Sequence, residues 1–391
     1  MNDPSLHAHR LLIRVALSLV HAFAWVFVFE YFYYVSGDMN RSLAAAALLY
    51  ASVQFIVLFA TPISAAHLRR GTKHSIIWGT LAAAAAFIAL GGFLSGYFNT
   101  PALWGVIVFA VLLGLHRALY WVPYEVAHTR TSKSPWMHVY FEVLIALMPL
   151  FAGITIVSME AAPERLLFGA ATLIALSIVP LLRMRDRYER FSWPYGYTFK
   201  QLLRHKNSGL VLHALLEGIQ GAALFLIWPL AIFLLVEWSY FLLGLVFSAS
   251  LLAILILRYI YRAMAEYFGI RNSVVVHTVF AMSGWVARLA AGTPIGIIVA
   301  DAYSYTTLPE RGTRADPATF EHVSDRGSFI DEYTTLKELA LALGRIMLCV
   351  TVFFLAFVMP LAYVFMTALL TAAVASGLSV LVARKVSIAT Y

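Results

Sequence analysis

The sequence predicts an all-α membrane protein with twelve transmembrane helices in two pseudo-symmetric six-helix bundles, and three observations lead to this prediction. Hydrophobic residues make up 61% of the 391 residues and charged residues only 12%, about half the charged share of a soluble domain. The apolar residues form blocks of about 20, the length that crosses a hydrocarbon core of about 30 Å. Finally, two charged loops recur half a chain apart.

The apolar blocks also predict the topology. Twelve spans place both termini on one side of the membrane, and nearly all of the 28 Lys and Arg residues lie at the termini or along the even-numbered loops. The positive-inside rule then makes the termini cytoplasmic in a plasma or inner membrane. The net charge of +8 reflects this topology, so nucleic acid is not an expected partner. The predicted spans are 11–34, 43–66, 75–97, 101–124, 137–159, 166–183, 209–236, 240–262, 273–291, 293–308, 336–359 and 361–383.

The charged loops indicate an internal duplication. YEVAHTRTSKS occupies 124–134 and FEHVSDRGSFI occupies 320–330, an offset of 196 residues. RRGTKHSII at 69–77 and YFGIRNSVV at 267–275 recur at an offset of 198. Each pair lies six predicted helices apart, so the two halves share one orientation, as in a parallel repeat. The charged residues that correspond at the first offset are Glu125 with Glu321, Arg130 with Arg326, and Glu142 with Glu338.

The duplication predicts the limits of the two bundles. Residues 1–190 are expected to form the first bundle, 191–208 a cytoplasmic linker, and 209–391 the second bundle. Basic loops that contain Gly and Ser can also look alike by chance. The agreement of two independent loops on nearly one offset favours duplication over chance.

This arrangement resembles the major facilitator superfamily of secondary transporters, over the whole chain and in the manner of its bacterial-type members. That family's loop between helices 2 and 3 usually reads Gly-x-x-x-Asp-Arg-x-Gly-Arg-Arg/Lys. Here SAAHLRRGTK keeps Arg69, Gly71 and Lys73 and lacks the first Gly and the Asp. On helix 5, MPLFAG has Pro149 and Gly153 without the Gly-Pro pair of the family's antiporters.

The resemblance implies that two bundles rock about a central site and that cytoplasmic loop charges latch them together. Exposed ion pairs contribute only about 0–1 kcal/mol each, which is enough to bias a nearly balanced equilibrium. The alternative is that these charges are solvated anchors at the membrane surface. The predicted gating residues are Arg69, Arg70, Gly71, Lys73, Glu125, Arg130, Glu142, Glu266, Gly269, Arg271, Glu321 and Arg326.

Polar residues inside the spans are candidates for the central site, because a charge there costs about 2.5–3.5 kcal/mol on insertion scales. Spacings of three, four and seven residues place such side chains on one helix face. By resemblance to the family, helices 1, 4, 7 and 10 line the cavity. The candidates are His21 and Trp25 on helix 1; Arg117, Tyr120 and Trp121 on helix 4; His213, Glu217 and Gln220 on helix 7; Asp301 and Tyr305 on helix 10; and Glu338 and Arg345 on helix 11.

Two of these carboxylates are predicted to carry the coupling proton. Burial disfavours the charged form of a carboxyl group, so Glu217 or Asp301 could bind a proton, with Arg117 or His21 as its ionic partner. A static structural ion pair is the alternative. Aromatic residues such as Trp25, Tyr120 and Trp121 either stack on an organic substrate or anchor the helices at the membrane interface.

The leading functional prediction is a secondary transporter of a small organic solute, proton-coupled and acting as a monomer in the lipid bilayer. A single cysteine, Cys349, excludes a disulfide within the chain, and His213 with Glu217 lacks a third ligand, so no metal or cofactor is expected. The sequence has no Walker-type phosphate loop and hence no ATPase. A sensor or scaffold on the same fold is one alternative. A membrane-embedded transferase is another, although no nucleophile–base spacing supports an enzyme.

Overall fold

The computed structural model describes residues 4–96, 102–128, 136–158, 162–268, 274–306 and 330–389. These residues contain ten helical spans long and apolar enough to cross a membrane, and two shorter helices complete the twelve predicted spans. The helices are α1 (Pro4–Ser36), α2 (Met39–His67), α3 (Thr72–Leu94), α4 (Ala102–His128), α5 (Trp136–Ser158), α6 (Ala162–Leu176), α7 (Ile178–Leu182), α8 (Tyr195–Leu202), α9 (Ser208–Ala222), α10 (Trp228–Leu235), α11 (Tyr240–Phe268), α12 (Val274–Leu289), α13 (Pro294–Thr306), α14 (Ile330–Leu355) and α15 (Leu361–Ala389).

Two spans are interrupted where proline removes a backbone donor. Helices α6 and α7 form one span that breaks at Ser177, three residues before Pro180. Helices α9 and α10 form another, joined by the π-helical segment Ala223–Ile227 just before Pro229. Proline lacks an N–H group and its ring clashes with the carbonyl four residues earlier, so both interruptions lie where the regular ladder cannot continue.

The helices of the two halves pack by the same scheme. In the first half, α1 packs on α5 and α6, α2 on α4, and α3 on α4 and α6. In the second half, α9 packs on α14 and α15, α11 on α13, and α12 on α13 and α15. Each contact in the second half reproduces a contact made six spans earlier. The predicted pair of pseudo-symmetric six-helix bundles is therefore confirmed.

The two halves meet through α2 with α14 and through α5 with α11. The α5–α11 crossing depends on two facing glycines, Gly153 and Gly244. A Cβ atom on Gly153 would lie 2.7 Å from the carbonyl oxygen of Tyr240 and 3.4 Å from the Cα of Gly244. The Leu150 N–H donates to Ser248 Oγ across the same crossing, 2.9 Å. Small residues thus let the two bundles approach at backbone distance.

The halves are also joined on the side of the molecule away from both termini, here called the opposite side. Asn40 Nδ2 donates to the carbonyl oxygens of Ala356 and Met359, at 3.0 and 2.9 Å. The Tyr240 hydroxyl donates to the Glu30 carboxylate. These contacts link the outer ends of the first-half helices to those of the second half, so the two bundles are held together on the opposite side.

Helix α8 bridges the halves on the terminus side, within the predicted linker. The Tyr195 hydroxyl donates to the Phe59 carbonyl oxygen on α2, 3.3 Å. Phe199 and Leu202 pack on a buried cluster that includes Leu58 of α2 and Leu339 of α14. The connection between the bundles therefore packs against both of them.

Candidate functional site

A layer of polar side chains lies where the two halves meet. It comprises His21 of α1, Tyr50 and Gln54 of α2, Arg117 of α4 and Arg345 of α14, and is here called the central layer. Arg345 Nη1 donates to Gln54 Oε1 at 3.2 Å, a hydrogen bond from the second half to the first. The guanidinium groups of Arg117 and Arg345 both interact electrostatically with His21 and with Tyr50. The structure thus brings together three of the predicted site residues.

The central layer is largely enclosed by protein. Gln54 is fully buried, and Tyr50 and Arg345 are only 2% and 6% exposed. Trp25 packs edge-on against Tyr50, with ring centroids 4.9 Å apart, and the His21 ring lies edge-on to Phe225 at 5.5 Å. Tyr50 and Gln54 were not predicted, because they lie on α2 and the resemblance assigns the cavity to helices 1, 4, 7 and 10. Their spacing of four residues on α2 is the signal that could have found them.

The predicted aromatic residues of α4 lie in a separate cluster. Tyr120 and Trp121 pack with Tyr124, and the Arg10 guanidinium of α1 stacks over Trp121 at 4.9 Å. Tyr120 is buried between the rings of His9 and His116. Of the α4 stripe, only Arg117 reaches the central layer.

The predicted face of the seventh span is turned towards α15. His213 Nε2 lies 3.6 Å from Glu217 Oε1, and His213 Nδ1 makes a 3.1 Å hydrogen bond to the Ser379 carbonyl oxygen. Gln220 Nε2 lies 3.4 Å from Ser379 Oγ. The three side chains do share one face, as their spacing predicts. Glu217 keeps about a third of its side chain exposed, 36%.

Asp301 has a different ionic partner from the one predicted. Its Oδ1 accepts hydrogen bonds from Arg288 Nε at 2.8 Å and from Trp228 Nε1 at 2.9 Å. The Arg288 guanidinium stacks on Trp285, 4.4 Å from the ring centroid. Pairing of Asp301 with Arg117 or His21 was therefore wrong, because Arg288 of α12 reaches it inside the second half. Sequence reasoning missed Arg288, which lies only 13 residues before Asp301 across a short turn.

Solved structures of other proteins have the same fold. The peptide transporter POT aligns with 98% of this chain and 94% of its own, at 14% identity and a TM-score of 0.64. Nucleoside transporter NupG aligns with 99% of this chain and 98% of its own, at 13% identity and a TM-score of 0.54. A bacterial homologue of the iron transporter ferroportin, in an inward-facing state, aligns over 98% of both chains, at 16% identity and a TM-score of 0.59.

The chain has the major facilitator fold. No family model matches the sequence, and no curated protein matches it, so the likeness is one of architecture. Within this fold, the central layer lies at the contact between the two bundles.

The loop between the second and third spans binds its own half. Arg69 Nη2 donates to the Phe191 carbonyl oxygen, 3.1 Å, and Lys73 Nζ to that of Leu182, 2.7 Å. The Lys73 amide donates to Asp186 Oδ1, 3.0 Å. These residues were expected to latch the two halves, and in this structure their contacts fasten the loop to the segment after α7.

Asp186 supplies the carboxylate that this loop lacks in sequence. Its Oδ1 accepts hydrogen bonds from the Lys73 and Arg187 amides, and its Oδ2 lies 3.3 Å from His74 Nδ1. A carboxylate near the first turn of α3 is favoured by the helix dipole. Asp186 was missed because it lies 113 residues from Lys73, beyond any local motif. Arg70 is exposed on the same loop.

The other predicted residues have varied positions. Glu142 accepts two hydrogen bonds from Arg14, at 2.6 and 2.9 Å, within the first half. Glu125 lies in the last turn of α4, and Glu338 is buried on α14 two turns before Arg345. Glu266 and Tyr305 lie in helices, but their side chains are outside the described part of the chain. Also outside the described residues are Arg130, Gly269, Arg271, Glu321 and Arg326.

We expect Gly71→Ala to lower the free energy of unfolding by about 1–3 kcal/mol. Gly71 has a φ of 109°, and a Cβ there would collide with the Asp186 carboxylate. Circular dichroism of the detergent-solubilised chain during heating measures the loss. Gly37→Ala is the matched control, since its φ of 66° is also positive but no atom lies within 4 Å of the new Cβ. Equal losses in both variants would contradict a role for the Asp186 contact.

Proposed function

We propose that the chain is a secondary active transporter that moves a small organic solute across the membrane by alternating access. The observation that carries the proposal is the central layer, in which an arginine from each half lies near the same two side chains, His21 and Tyr50, at the bundle interface. Ionisable groups inside a membrane are costly and point to a functional site. The solved structures with this fold, a peptide transporter, a nucleoside transporter and a homologue of an iron transporter, support the same class of function.

The contacts between the halves are suited to rocking. On the opposite side the halves are held by the Asn40 hydrogen bonds, by the Tyr240–Glu30 bond and by aromatic rings of α1 that pack on Trp238 and Tyr240. The Gly153–Gly244 crossing lies between closely packed backbones and can act as the pivot. Breaking the first set while keeping the second would expose the central layer to the opposite side.

Glu217 is the stronger candidate for the proton-coupling carboxylate. Its side chain is 36% exposed and lies 3.6 Å from His213, so it can exchange a proton with its surroundings. Asp301 is held by Arg288 and Trp228 at 2.8 and 2.9 Å inside the second half. A buried carboxylate that is already held by an arginine and by a second donor suits a structural ion pair.

Proton flux in proteoliposomes tests this function. We expect at least one of a panel of small solutes (carboxylates, dipeptides, nucleosides) to accelerate the decay of an imposed pH gradient in vesicles that contain the chain. Glu217→Gln should abolish the solute-dependent proton flux, because an amide cannot carry the proton, while solute binding remains. His205→Gln, an exposed substitution in the linker, serves as a control.

Other outcomes would separate the alternatives. Solute binding without solute flux in any vesicle would favour a sensor or scaffold. Turnover of a solute by the chain in detergent, where no gradient exists, would favour a transferase. Unchanged proton coupling in Glu217→Gln would remove Glu217 from the mechanism.

A further inference from the structure

The central layer is rich in hydrogen-bond donors. Among the described residues, four buried donor atoms close to it have no hydrogen-bond partner, and they are Trp25 Nε1, Tyr50 Oη, Gln54 Nε2 and Arg117 Nε. More than about 90% of buried polar groups in proteins are hydrogen bonded, and an unsatisfied one costs about 1–3 kcal/mol. Three of the four atoms can only donate. Such a set is complementary to a ligand that carries acceptors.

The charge of the layer selects the kind of acceptor. Arg117 and Arg345 both act electrostatically on the His21 ring and on the Tyr50 hydroxyl. Glu338, on the same helix as Arg345, lies seven residues away. Guanidinium groups bind carboxylates with paired, charge-assisted hydrogen bonds. Two arginines that approach from different halves therefore favour an anion between them.

The walls of the layer favour a small organic body. The Arg345 guanidinium lies over Gly221 of α9, where a Cβ atom would come within 3.4 Å of Nε, so the missing side chain lets the guanidinium rest close to the helix. Trp25 and Tyr50 form an aromatic wall on the first half, and Phe225 stands beside His21 on the second. Aromatic surface of this kind packs against carbon atoms that an inorganic ion lacks.

We propose that the central layer binds a small organic anion through a carboxylate held jointly by Arg117 of the first half and Arg345 of the second. This rests on the proposed function and names the class of its solute. Because the two arginines belong to different bundles, the bound carboxylate stabilises whichever conformation brings both within reach. Binding is thereby coupled to the relative position of the halves.

Titration of the purified full chain in detergent tests the proposal, with tryptophan fluorescence as the readout. The probes are acetate, lactate, succinate, citrate and glutamate, each compared with its neutral amide, together with sulfate and chloride. We expect saturable binding of at least one carboxylate and none of its amide. Arg117→Gln and Arg345→Gln should each weaken that binding about tenfold to a hundredfold, the loss of one charged hydrogen bond.

The controls keep the proposal falsifiable if a variant folds poorly. Arg117→Lys and Arg345→Lys retain the charge and should recover part of the affinity. Arg41→Gln removes an exposed arginine outside the layer and should leave binding unchanged. The proposal is overturned if no carboxylate binds, if the amides bind equally well, or if sulfate binds as tightly as the best carboxylate. Unchanged affinity in the Arg117→Gln/Arg345→Gln double variant would overturn it too.

Failure of this inference is distinguishable from failure of the proposed function. Carboxylate binding without solute-dependent flux would leave the anion site in place and contradict transport. Flux driven only by neutral or cationic solutes would keep transport and contradict the anion site.

Discussion

Arg288→Leu is expected to lower the free energy of unfolding by about 3–5 kcal/mol, the usual cost of removing one partner of a buried ion pair. The variant leaves the Asp301 carboxylate, which is 4% exposed, without the guanidinium 2.8 Å away. The hydrogen bond from Trp228 remains and cannot neutralise the charge. Denaturant unfolding in detergent micelles, followed by circular dichroism, measures the loss.

A double variant separates the contribution of the ion pair to stability from the cost of leaving one charge without its partner. Arg288→Leu/Asp301→Leu removes both charges and should recover most of the stability, because a hydrophobic pair of similar volume can replace a buried ion pair at little cost. Arg14→Leu is the matched control, since its partner Glu142 lies 2.6 Å away but the two side chains are 34% and 35% exposed. A partly solvated pair contributes about 0–1 kcal/mol. A loss in Arg14→Leu as large as that in Arg288→Leu would contradict the argument from burial.

Hydropathy predicted the number and order of the spans, because crossing a bilayer requires about 20 apolar residues whatever the tertiary packing. It did not predict where helices begin and end. Helix α1 begins at Pro4 and α14 at Ile330, both several residues before the apolar blocks, because a helix continues into polar sequence once it leaves the membrane. The interruptions near Pro180 and Pro229 follow from proline, whose position the sequence shows.

Spacing along one helix predicted which side chains share a face, but it did not predict which helix that face meets. His213, Glu217 and Gln220 do lie together, yet they face Ser379 of α15. The partner of Asp301 depends on how α12 and α13 cross, and that crossing is set by packing in which Gly284 lies against Ser304. Tyr50 and Gln54 are uncharged and lie on α2, outside the helices that the resemblance assigns to the cavity, so they were not selected.

The duplicated loops predicted the fold better than they predicted the contacts of the gating residues. A repeated sequence forms the same helix contacts in each half, so the two halves have matching packing schemes. Asp186 is supplied from the end of the sixth span, so the charge that completes the first loop was not visible in the loop's own sequence. The role of the central layer likewise depends on side chains from four helices of both halves.

Gly244→Leu is expected to reduce solute-dependent flux in proteoliposomes at least tenfold. A Cβ on Gly244 would collide with the Pro149 carbonyl oxygen and come within 3.2 Å of the Gly153 Cα. Overpacking of this kind costs about 1–3 kcal/mol, and about 1.4 kcal/mol changes an equilibrium tenfold. Because α5 and α11 belong to different halves, the added side chain forces the bundles apart at the proposed pivot.

We expect solute-dependent flux to depend on both the size and the position of the added side chain. Gly244→Ala already introduces the Cβ and should reduce flux by an intermediate amount. Gly169→Leu on α6 adds the same side chain where no atom lies within 4 Å of a Cβ, so flux should match that of the original chain. If Gly244→Leu and Gly169→Leu transport equally well, the α5–α11 crossing is not a pivot, and movement between the halves must occur about another contact.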